Sequence, residues 1–184
     1  MPDAGNIIKD EGEHEKQLID LIDEERLRYV GSMVLGLNDA LVELTGALAG
    51  LTLALQNTRL VAMAGLITGV AASLSMATSE YLSTKSEGGV KNPFKASFYT
   101  SVAYVLTVLF LIFPYLLLSD LYFCLGFTIL NAIVVIFIFT FYISVAKDLS
   151  FKKRFLEMAL ISLGVAGLTF AIGFIIRILL NIEI

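Results

Sequence analysis

Long apolar runs separated by short polar breaks set the pattern of the chain. They cover about 32–56, 60–84, 96–118, 121–146 and 156–180. Each reaches the roughly 20 residues that a helix needs to cross a bilayer. The pattern therefore predicts an all-α, polytopic membrane protein of five transmembrane helices. Ahead of the first run, acids from Asp10 to Glu25 are mixed with Leu18, Ile19, Leu21, Ile22 and Leu27, as in an amphipathic helix. The expected organisation is an acidic N-terminal helix over 1–31 and a transmembrane domain over 32–184. Asn57, Thr58 and Arg59 mark a tight turn, and Gly88, Gly89 and Pro93 mark a loop.

The first two runs carry acids where acids are costly. Gly36, Asp39, Glu43, Gly46 and Gly50 step by three or four, as do Gly65, Gly69, Ala72, Met76, Glu80 and Ser83. Such steps place each set on one helical face. Gly46–Gly50 and Gly65–Gly69 are GxxxG pairs, which let membrane helices approach closely. An ionisable residue inside a span costs on the order of 3 kcal/mol and usually serves a function. Joined by a short turn, the two helices must be antiparallel, so Asp39 and the stretch from Met76 to Glu80 share one half of the membrane.

The later runs differ in texture. Every phenylalanine lies at Phe94 or beyond, and bulky residues suit lipid contact, so the third and fourth helices are expected to form an outer wall. The fifth, with Gly164, Ala166, Gly167 and Gly173, is expected to pack on the core. Pro114 should kink or end the third helix. Tyr115 and Tyr122, near Asp120, read as interfacial anchors. Asn131 reads as making an interhelical hydrogen bond, and Cys124 as a packing residue.

Composition agrees with a membrane protein: 57% of the 184 residues are hydrophobic and the mean hydropathy is +0.82. One soluble domain of this size could not hide five such helices. Lys and Arg gather before the first run, between the second and third, and between the fourth and fifth. By the positive-inside rule this puts the N-terminus in the cytosol and the C-terminus outside. The acidic start lacks the basic segment of a secretory signal, so none is expected. Net charge is -4, and nothing in its distribution suggests nucleic acid. A single cysteine allows no internal disulfide. No nucleophile stands beside a base in triad spacing, so the chain does not read as an enzyme.

The only histidine, His14, lies three residues after Glu11 and beside Glu15. Glu-x-x-His is a spacing used in carboxylate-bridged iron sites, although a solvated acidic face is the plainer reading. Glu11, His14 and Glu15 are candidates for cytosolic metal capture.

Three stretches resemble the vacuolar iron transporter family: Gly36-Leu37-Asn38-Asp39-Ala40, Ser75-Met76-Ala77-Thr78-Ser79-Glu80-Tyr81, and Lys91-Asn92-Pro93-Phe94-Lys95-Ala96. The resemblance extends over about 28–184. It implies five transmembrane helices, a homodimer, and proton-coupled export of Fe²⁺ and often Mn²⁺, with Asp39 and Met76 lining the pore. There are departures. The 84–95 connection is too short for the cytosolic metal-binding domain of eukaryotic members, which points to a prokaryotic-type member in a cell membrane. Thr68 stands where some members carry a pore glutamate, and Glu43 is the candidate replacement.

Carboxylates with a thioether suit a divalent first-row metal, since sulfur disfavours Mg²⁺ and Ca²⁺. The expected site is Asp39, Glu43, Met76 and Glu80 from both copies of a homodimer, with the pore at the interface and a two-fold axis through the glycine-rich first helices. Glu43, the deepest acid, is the candidate proton carrier. Metal ions and protons are then substrates, the bilayer is the setting, and no permanently bound cofactor is expected. The alternative is a metal sensor or dimeric scaffold that transports nothing.

Overall fold

The computed structural model describes the backbone of residues 4–89, 91–146 and 149–179, and the side chains of 29–89, 91–145 and 149–179. These residues form five helices: α1 (Ala4–Leu55), α2 (Thr58–Glu87), α3 (Pro93–Leu117), α4 (Leu121–Ala146) and α5 (Phe151–Leu179). Among the described residues there is no strand, and each helix contains a stretch long and apolar enough to cross a membrane. The first helix runs unbroken through position 31, so the expected domain boundary falls inside it. Its apolar span is Tyr29–Leu55. The side chains of Glu11, His14 and Glu15 lie outside those described.

Local chemistry sets the helix ends. Gln56 takes a positive φ of 49° and Asn57 then caps α2, its side chain accepting from the N–H groups of Arg59 and Leu60. Gly88 closes α2 in the left-handed region, φ 61°. Asn92 caps α3 with Pro93 in its first turn, where the missing N–H costs nothing. Asp120 accepts from the N–H groups of Tyr122 and Phe123 at the start of α4. Pro114 lies one turn from the end of α3, as expected of a residue that halts a helix.

α1 is the central element and touches all four others, most extensively α5. In a bilayer lipid is as apolar as the helix faces, so close packing and hydrogen bonds rather than the hydrophobic effect hold helices together. α1 and α5 meet through small residues: Gly173 lies against the backbone of Gly50, Thr169 Oγ1 donates to Gly46 O at 2.6 Å, and Ser162 Oγ donates to Leu41 O. α1 and α3 meet at Gly36, where an added Cβ would stand 2.5 Å from Thr100 O. Farther along, the hydroxyls of Thr52 and Tyr115 are 2.6 Å apart in the interior. The core so formed includes Leu41, Leu44, Leu48, Tyr104, Leu111 and Ile136.

Three expectations are corrected. The third helix is not an outer wall: half of its apolar window is buried inside the chain, against 22% for α4 and 17% for α5. Its phenylalanines do face outward, but Thr100, Tyr104, Thr107, Val108 and Leu111 make an opposite, buried face. A count of bulky residues cannot see that second face. Tyr115 is 2% exposed and is no interfacial anchor, because its hydroxyl finds Thr52 inside. Finally, the stripe along α1 does not meet a single neighbour. Gly36 packs on α3 and Gly46 and Gly50 pack on α5, since neighbouring helices change along the length of α1. Those glycines are thus used for packing within the chain. Asn131 donates to Phe110 O across α4 and α3 and Cys124 is buried, both as expected.

Candidate metal pathway

Two of the candidate acids, Glu43 and Glu80, are held by hydroxyls. Glu43 Oε2 accepts from Tyr104 Oη at 2.9 Å, a bond from α1 to α3. Glu80 is only 9% exposed. Its Oε1 accepts from Ser32 Oγ at 2.5 Å and from Thr84 Oγ1 at 3.5 Å. Ser32 is itself fixed, because its carbonyl accepts from Thr100 Oγ1 at 2.9 Å. Three helices therefore converge on Glu80, while its Oε2 has no partner among the described residues.

Ser32 beside Glu80 and Leu48 beside Gly65 set the antiparallel register of α1 and α2. By that register Met76 falls level with Gly36 and Leu37, less than one turn from Asp39. Glu80 sits at the height of Ser32, seven residues and therefore roughly 10 Å of helix from Asp39. Met76 is partly buried and packs against the central core. Asp39 is half-buried, whereas Glu43 is exposed on the single chain despite lying mid-span. Among the described residues no three of His, Cys, Asp and Glu gather closely enough to hold a metal ion. Asp39 and Met76 share a level, Glu43 lies one turn beyond Asp39, and Glu80 stands apart at the end where the lysines collect.

The segment that carries these four residues is also the one that matches a known family. Residues 30–91 match the VIT family, the vacuolar iron transporters. The resemblance read from the motifs is thereby shown over both spans and the loop after them. VIT family members are membrane transporters of metal ions, and the five long apolar helices of this chain are those of a multi-pass membrane protein. No curated protein matches the chain.

Sequence reasoning missed the hydroxyl partners. Tyr104 and Thr100 are polar residues in an apolar span, a signal that was legible. Their pairing with Glu43 and Ser32 depends on how α3 packs and was not.

Proposed function

We propose that two copies of this chain form a homodimer that exports a divalent transition metal, Fe²⁺ and also Mn²⁺, from the cytosol in exchange for protons. The observation that carries the reading is Glu43: a carboxylate in mid-span, aimed by Tyr104 and left uncovered by its own chain. A carboxylate facing lipid is expensive, and such residues face a protein interior or a watery path. A second copy over this face would cover Glu43 and double a ligand set that one chain leaves incomplete.

In this reading Asp39 and Met76 hold the ion, oxygen supplying charge and sulfur supplying selectivity against Mg²⁺ and Ca²⁺. Glu43 lies one turn deeper and takes up a proton as the metal leaves. Glu80 lines the cytosolic mouth, with Ser32 fixing its Oε1. Glu11, His14 and Glu15 would raise the local cation concentration ahead of that mouth.

The test is metal entry into liposomes containing the purified protein, followed with a metal-quenched dye, with and without a pH gradient. Gradient-driven entry of Fe²⁺ or Mn²⁺, lost in Asp39→Asn and Met76→Ala, supports antiport at this site. Flux that ignores the gradient replaces antiport with facilitated passage. No flux from an intact dimer favours a scaffold or sensor.

A further inference from the structure

A cavity of about 120 Å³ opens between α1, α4 and α5 at the end of the bundle where the lysines collect. Val34, Phe139 and Met158 wall it, and Asn38 and Arg154 bring polar groups to it. Asn38 belongs to the same short motif as Asp39, yet roughly 100° of helical rotation turns it to this cavity.

We propose that the cavity holds the headgroup phosphate of an anionic phospholipid, with Arg154 as the anchoring cation and Asn38 as a second donor. Arg154 makes no side-chain hydrogen bond or ion pair with any described residue. A guanidinium fits phosphate with paired hydrogen bonds, and its charge repels a metal ion, so the cavity is not a branch of the metal path. Lys152 and Lys153, both exposed in the same first turn of α5, raise the positive potential.

Depth and size point to lipid rather than a soluble phosphate. The lining residues fall in the first turns of the α1 span, the last turns of α4 and the start of α5, where headgroups give way to acyl chains. The apolar walls suit glycerol and the upper chain. The volume equals that of about four water molecules, enough for a phosphodiester but not for a nucleotide. Basic pockets between helices at a membrane surface commonly take such headgroups. Through Asn38 the bound lipid would brace α1 at the residue before Asp39.

The full chain in detergent can be titrated with phosphatidylglycerol or phosphatidylcholine and the bound lipid counted by native mass spectrometry, a readout independent of metal transport. Phosphatidylglycerol should bind preferentially, Arg154→Gln should weaken it about five- to tenfold, and Arg154→Lys should restore part of the loss. Lys153→Gln, which removes a neighbouring charge that does not line the cavity, should change binding less than about twofold. Equal binding of the two lipids, unchanged binding by Arg154→Gln, or equal losses in Arg154→Gln and Lys153→Gln would overturn the proposal. So would displacement of the lipid by glycerol phosphate, which would mark a soluble-phosphate site.

Discussion

Tyr104 Oη donates to Glu43 Oε2 at 2.9 Å, tying the deepest acid of α1 to α3. A carboxylate held by a fixed donor has a defined position and loses little freedom when it meets a proton or a metal. Partners that orient metal-site groups typically contribute 10- to 100-fold to affinity or activity. Tyr104→Phe keeps the ring that fills the core and removes only the hydroxyl. Flux in liposomes should fall by about tenfold, with thermal stability nearly unchanged. Unchanged flux would mean that the bond is structural.

Glu80 offers a separation of support from transport. Ser32→Ala removes the donor to a nearly buried carboxylate, and leaving such a group unsatisfied costs on the order of 1–3 kcal/mol. Its melting temperature in detergent should drop. Glu80→Gln retains an oxygen that can accept from Ser32 and should melt near the unmodified protein. If Glu80 lines the path, that same variant should transport more slowly; full transport would reduce it to a clamp between helices.

Close approach at two glycines can be tested by adding one methyl group. At Gly36 a Cβ would meet Thr100 O at 2.5 Å, and at Gly50 it would meet Thr169 O at 2.9 Å. Backbone atoms cannot step aside as a side-chain tip can, so Gly36→Ala and Gly50→Ala should each destabilise by about 1–3 kcal/mol. Gly126→Ala, at a position with open space around it, is the control and should be neutral. Thermal unfolding of the three variants in one detergent decides this.

The buried pair of Thr52 and Tyr115 predicts a small effect. Hydrogen bonds between membrane helices average about 0.6 kcal/mol, because the separated helices find other partners. Tyr115→Phe should lower stability by roughly that amount and leave flux unchanged, since the pair lies far along α1 from Asp39. A large loss of flux would extend the pathway beyond the acids.

Local patterns along the chain suffice to set the elements and their kind. Five apolar runs, the turn at Asn57 and the loop ending at Pro93 are local signals, and the helices follow them closely. The start of α5 is the exception: hydropathy placed it near 156, while the helix begins at Phe151, because charged residues lower hydropathy without lowering helix propensity. Asp39, Glu43, Met76 and Glu80 were legible too, since a polar residue in a span stands out against its neighbours. What each of them faces was set by the packing of the helices. It paired Glu43 with Tyr104 and Glu80 with Ser32, separated Glu80 from Asp39, and spent the glycines of α1 on α3 and α5. Periodicity ranks the residues of one helix by direction, but the neighbour in that direction changes along α1 as other helices pack against it. That choice depends on contacts far apart in sequence, which no local pattern records.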